Sequence, residues 1–134
     1  MILVDTCVLI DVAEGDDRWS EWSEQQLARW SERGPLVIIP MIFAEWSSMF
    51  DRVFDVDRAV LQFGLTWQNP SRAALFLAAQ AHKLYRRRGG TKAMVLPDFI
   101  IGAHVADMRI PILTRDPRRF TTYFAGLEVV CPAR

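Results

Sequence analysis

Short apolar runs that alternate with helix-patterned stretches set the tightest limit on what this chain can become. The segments "ILV" (Ile2 to Val4), "PLVIIP" (Pro35 to Pro40), "PILT" (Pro111 to Thr114) and "LEVV" (Leu127 to Val130) are too short for helices and too apolar for loops. A helical turn through Cys7, Ile10 and Ala13 follows the first run. Trp19, Trp22, Gln26 and Trp30 then recur at helical spacing and stop before Gly34-Pro35. "MIFAEWSSMF" (Met41 to Phe50) reads as a helix, and Asp57 to Phe63 as a short one closed by Gly64. Asn69-Pro70-Ser71 opens a long helix through Ala73, Leu77, Ala81 and Leu84 that ends at Gly89-Gly90, and Pro97-Asp98 opens another over Ile101, Gly102 and Val105. Strands separated by helices pair in parallel, and strands buried on both faces read as unbroken apolar runs. The expected architecture is therefore α/β, a three-layer sandwich with a mostly parallel central sheet. With no repeat and no linker in the sequence, residues 1–134 are read as a single domain.

The chain is long enough to enclose a core, and 51% of its residues are hydrophobic, which argues against disorder. Sixteen basic residues balance sixteen acidic ones, so no global positive field marks a nucleic-acid partner, and such a partner would need local basic clusters. Cys7 and Cys131 form no CxxC pair and read as free thiols in a reducing compartment. The apolar N-terminus carries Asp5 and Asp11 and lacks a basic flank and a cleavage site. It reads as neither a signal peptide nor a membrane span, and the protein is expected in the cytoplasm without membrane contact.

Four carboxylates stand in apolar company. Asp5 ends "ILV", Glu45 lies inside "MIFAEW", Asp98 sits between "VLP" and "FII", and Asp116 follows "PILTR". In a parallel α/β sheet the carboxyl ends of strands line the ligand crevice, where Asp5 and Asp116 would sit. Asp98 and Glu45 are placed near helix beginnings, where the dipole favours negative charge. Each has an ordinary explanation alone: Asp98 and Asp5 as caps, Asp116 as a turn former before Pro117, Glu45 on an outer helix face. Together they suggest one pocket. Two carboxylates about 4 Å apart repel by roughly 4 kcal/mol at an effective dielectric near 20, so such a pocket needs neutralisation. A hard divalent cation, Mg²⁺ or Mn²⁺, does this with oxygen ligands and leaves room for water and phosphate, the arrangement of metal-assisted phosphoester hydrolysis.

The same residues carry a family resemblance. "ILVDTCVLID", "FAEW", "LPDFIIGAHV" and "ILTRDPRRF" resemble, in order and across essentially the whole chain, the motifs of PIN domains, and most closely the VapC-type ribonuclease toxins. The resemblance implies an acidic quartet of Asp5, Glu45, Asp98 and Asp116, with Asp5, Asp98 and Asp116 as metal ligands and Thr6 and Thr114 in support. It implies a Mg²⁺- or Mn²⁺-dependent endoribonuclease acting on structured RNA (transfer or ribosomal), neutralised by a cognate VapB-type antitoxin, with a homodimer expected. Two departures stand out. Pro117 and Arg118 follow Asp116 where some relatives carry a further acid, and Ile42-Phe43-Ala44 replaces an asparagine often found before the glutamate. A non-catalytic PIN-fold module binding RNA or protein is the alternative, against which the retention of all four acids argues. "DTC" lacks the second acid of a haloacid-dehalogenase-like Asp-x-Asp, and no GxxxxGK[ST] or GxGxxG loop is present.

"YRRRGG" (Tyr85 to Gly90) and Arg115, Arg118 and Arg119 are the local basic clusters. Arg86 to Arg88 read as cations at a helix C-terminus. Arg115, beside Asp116, is the RNA-binding candidate, and on this reading Arg115→Ala weakens RNA cleavage and leaves the fold intact. Most of the aromatic residues from Trp19 to Phe54 are expected in the core, with a surplus that suggests a groove for an antitoxin helix or a dimer face. His104 lies six residues beyond Asp98, on a divergent helix face, and neither it nor His82 reads as catalytic.

Overall fold

In the computed structural model of the chain, which describes residues 1–91 and 93–133, five strands alternate with seven helices. The order is β1 (Ile2–Val4), α1 (Thr6–Glu14), α2 (Ser20–Ser31), β2 (Leu36–Ile38), α3 (Pro40–Ser47), α4 (Val53–Gln62), β3 (Leu65–Trp67), α5 (Arg72–Arg87), α6 (Leu96–Met108), β4 (Ile112–Leu113), α7 (Arg118–Thr121) and β5 (Val129–Val130). The strands form one sheet in the order β3-β2-β1-β4-β5, and every neighbouring pair is parallel. Helices flank this sheet, giving the three-layer α/β sandwich expected from the alternation of apolar runs.

The three inner strands are apolar at every position because both faces are covered, and β1, β2 and β4 have no exposed residue. They join Val8 and Leu9 of α1, Ile42 and Trp46 of α3, and Ile101 and Val105 of α6 in the main core. A second core lies between α5 and α6. Ala74, Ala78, Ala81 and Tyr85 make one stripe along α5 and meet Phe99 and Ala103 of α6. Phe124 closes this cluster over Gly102, where an added Cβ would fall 2.4 Å from the Phe124 ring.

Local chemistry explains most boundaries. The Ser71 hydroxyl accepts from the Ala74 N–H at 3.0 Å and starts α5, and Gly89 at φ +75° follows its end. Arg86 and Arg87 occupy the last turn of α5, as a helix C-terminus favours. Gly15, at φ +63°, ends α1. Three elements differ from expectation. The helix anticipated from Asp57 starts at Val53, a strand, β3, follows Gly64 where the sequence pattern assigns no element, and the short helix α7 follows Pro117. β3 is an edge strand whose middle and last residues are exposed, so it lacks the apolar signature of its neighbours.

Gln68, just past β3, ties that edge to α6. Its N–H donates to the Ile38 carbonyl at 2.9 Å, and its side-chain oxygen lies 2.9 Å from Nε2 of His104. His104 is buried, and its Nδ1 has no hydrogen-bond partner among the described residues. Burial pushes its pKa below the ordinary 6.5, against a weaker pull from Asp107. The folded state therefore binds this proton less readily than the unfolded chain. The stabilising contribution of neutral His104 is full above 6.5 and is lost as pH falls through the depressed folded value. His104→Gln should flatten the acid side of the stability profile, a difference visible as urea midpoints that converge with wild type when pH is lowered from about 7.5 to about 5.

Candidate functional site

β1 lies between β2, reached by the first crossover, and β4, reached only after α6, so the chain reverses direction across the sheet at β1. Such a switch point opens a crevice at the carboxyl ends of the strands. Asp5 is the first residue past β1 and Thr114 the first past β4. The register Val4↔Leu113 brings them side by side. The Asp5 N–H donates to the Leu113 carbonyl at 2.9 Å. Its carboxylate, with no exposed surface, accepts from the Thr6 N–H at 2.8 Å and from the Thr114 hydroxyl at 2.7 Å.

Three of the four acids converge on one cationic group, the guanidinium of Arg119 on α7. Its Nη2 donates to Asp5 Oδ2, and its Nη1 donates to Asp98 Oδ1 at 2.6 Å. Its Nε lies 3.8 Å from Asp116 Oδ2. Asp98 is the third residue of α6, and its other oxygen reaches back to the Val95 N–H at 3.1 Å. It is thus a helix-start carboxylate and a site residue together. Asp116 is held by its own N–H, which donates to the Thr114 hydroxyl at 3.1 Å, while its half-exposed side chain stands at the rim near Arg118.

Glu45 reaches this group one step removed. Its Oε1 accepts from the Thr6 hydroxyl at 2.8 Å, and Thr6 adjoins Asp5. It sits in the second half of α3 and not near its beginning as expected, so no helix dipole favours its charge. Burial, and then Asp5 and Asp98, push its pKa above the usual glutamate value, against the Thr6 hydrogen bond. Cys7 faces the same acids, its Sγ 3.5 Å from Asp5 Oδ2, and burial followed by Asp5 raises its pKa to about 11. The thiol is therefore protonated and no nucleophile. An open cleft of about 590 Å³ bordered by Thr6, Cys7, Glu45, Asp116 and Arg119 gives access. A groove of about 730 Å³ continues from Asp116 past Arg115, Arg118, Trp19 and Arg18.

Two arginines depart from the roles suggested by sequence. Arg115 does not stand free over the acids. Its Nε donates at 2.7 Å to Asp11, a carboxylate 1% exposed that also accepts from the Ser23 hydroxyl at 3.3 Å. Asp11 lies within the apolar N-terminal run and is not one of the four acids singled out from the sequence; the placement of α2 and Arg115 buries it. Arg119 read as one member of a surface cluster, and it holds the centre of the site. The aromatic surplus divides as well: Trp30 and Trp46 are core, Trp19 lines the groove, and Phe54 is 63% exposed.

The donor chemistry fits a hard divalent cation, since the converging atoms are carboxylate and hydroxyl oxygens around one positive centre. Among the described residues no three acidic, histidine or cysteine side chains close to metal-holding distance, and the Arg119 guanidinium lies between Asp5 and Asp98 as a partner of both.

No family model matches the chain, and no curated protein matches its sequence significantly. Solved structures do. A chain of VapBC2 from Rickettsia felis, bound to a DNA fragment from their promoter, superposes with a TM-score of 0.72 at 14% identity, covering 98% of each chain. A toxin–antitoxin complex from Klebsiella pneumoniae gives 0.70 at 24% identity over 99% of this chain and 98% of that one. VapBC-1 from nontypeable Haemophilus influenzae gives 0.72 at 15% identity over 98% of both. At these identities the shared property is the fold, the PIN-like α/β architecture that the ordered motifs resemble.

Because Arg115 is the counter-charge of a buried carboxylate, its removal carries a structural penalty that the sequence did not announce. Arg115 is one-third exposed, which lowers the penalty from that of a fully buried pair. Arg115→Ala should destabilise the fold by about 2 kcal/mol. Adding Asp11→Asn should restore part of that loss, as read from urea denaturation of the single and double variants.

Proposed function

We propose that this chain is a VapC-type PIN-domain toxin, a Mg²⁺- or Mn²⁺-dependent endoribonuclease that cuts structured RNA and is held in check by a VapB-type antitoxin. The observation that carries the reading is the convergence of Asp5, Asp98 and Asp116, from three separate elements, on one cationic position at the switch point of the sheet. The fold shared with chains of VapBC complexes supports it.

In this proposal Asp5, Asp98 and Asp116 hold the ion. An ion bound there would supply the Lewis-acid chemistry of in-line phosphoester hydrolysis, which would leave a 5′-phosphate and a 3′-hydroxyl. The chain's own residues set the geometry. Thr114 fixes Asp5 from one side and the Asp116 backbone from the other. Thr6 aims Glu45 at the cleft, where a glutamate of raised pKa takes part in orienting or deprotonating water. Arg18 and Arg118 line the groove that leads away from Asp116 and would bind backbone phosphates.

For the partners, α4 exposes Val53, Phe54 and Leu61 beside a depression bordered by Phe50 and Val56, a face suited to an antitoxin helix. Leu75 and Phe76 of α5 are exposed on another surface and would serve a homodimer. No helix among the described residues is long and apolar enough to cross a membrane, and a cytoplasmic toxin is proposed.

One observation favours the second reading, a non-catalytic binding module: Arg119 already offsets part of the repulsion among the acids, so the fold tolerates them without an ion. Incubating the antitoxin-free protein with total cellular RNA in Mn²⁺, Mg²⁺ or EDTA separates the two. The nuclease predicts discrete fragments that vanish in EDTA, and at least about a hundredfold less cleavage by a folded Asp5→Asn. RNA binding without any metal-dependent cut would favour the module.

A further inference from the structure

Arg119 presents a physical conflict with the metal site proposed above. Both oxygens of Asp5 are engaged: Oδ1 accepts from the Thr6 N–H, and Oδ2 accepts from the Thr114 hydroxyl and Arg119. Asp98 divides its oxygens between Arg119 and the Val95 N–H. The guanidinium therefore holds one oxygen of each carboxylate. A guanidinium and a divalent ion cannot share these atoms, because the ion needs them about 2.0–2.1 Å away and the arginine's hydrogens already fill that space.

The arginine is suited to a temporary hold. It issues from a helix of four residues, and its side chain remains 24% exposed toward the cleft. Its Nε is buried with no hydrogen-bond partner among the described residues, so that edge of the fork is held less firmly than the other. Asp116, its nearest carboxylate on that edge, stands off at 3.8 Å and is itself 42% exposed. Charge supplies the other half of the argument. One positive charge faces three carboxylates, so the arginine relieves their repulsion incompletely, and a divalent ion relieves it further.

We infer that Arg119 is a tethered cation that fills the metal position in the metal-free protein and must withdraw for the ion to load. It would thus preserve the fold between loading events and lower the apparent affinity for the ion. This rests on the proposed cation site, and the test separates the two. The apparent ion affinity of a site open only part of the time falls by the open fraction, so removing the competitor raises it by the inverse of that fraction. Titration calorimetry with Mn²⁺ should show R119Q binding at least about tenfold more tightly than wild type, with R119K between them. Without metal, R119Q should melt below wild type, and saturating Mn²⁺ should raise its melting temperature by more. If R119Q does not fold, the R119K comparison decides. Equal or weaker Mn²⁺ binding by the arginine variants, with binding lost in D5N, would leave the cation site standing and overturn the role of Arg119. No Mn²⁺ binding by wild type and variants alike would overturn both.

Discussion

A carboxylate with no exposed surface, at the end of the central strand, has to be compensated, and Asp5 imposes that requirement on everything near it. The backbone N–H of Thr6, the hydroxyl of Thr114 and the guanidinium of Arg119 come from three parts of the chain and meet at one side chain. The same solution recurs two turns along α1, where Arg115 and Ser23 enclose Asp11. Residues 115–119 therefore supply the counter-charge for two buried acids on and before α1. This also accounts for a basic cluster in a chain whose net charge is zero: two of its three arginines face inward.

The legible parts of the fold were those governed by burial or by local caps. β1, β2 and β4 stand out as unbroken apolar runs because both sheet faces are covered, and Ser71 and Gly89 bracket α5 by hydrogen bonding and backbone conformation. β3 was hidden because an exposed edge strand carries no apolar run, and the start of α4 because Val53 and Phe54 face outward. In the candidate site, Asp5, Asp98 and Asp116 were visible as acids in apolar surroundings. The pairing of Arg119 with Asp5 was not, since nothing local to "DPRRF" distinguishes an arginine that turns inward from one that turns out. The burial of Asp11 was equally hidden, because the groups that enclose it, Ser23 and Arg115, come from α2 and from beyond β4.

Fold and chemistry contribute separately to the functional reading. Chains that share this architecture at 14–24% identity establish where a crevice forms, not what happens in it. The chemistry comes from oxygens, which are hard donors, from the absence of a reactive thiolate at Cys7, and from a histidine pair placed elsewhere: His82 lies against Phe99 and His104 against Gln68. The proposed phosphoester cleavage would draw on an ion and a water for this reason.

The sheet order has a consequence for how the molecule comes into being. β1 is made first, but its partner β4 begins at Ile112, and the arginine that compensates Asp5 lies 114 residues beyond it. Contacts so distant along the chain form late in folding. During synthesis, a chain released up to α6 already contains Asp5, Glu45 and Asp98 but lacks Thr114, Asp116 and Arg119. The acids and their restraints thus become a site together, in one late closing step. A ribosome bearing an unfinished copy carries no finished cutting centre, which is a useful property for a protein proposed to attack RNA.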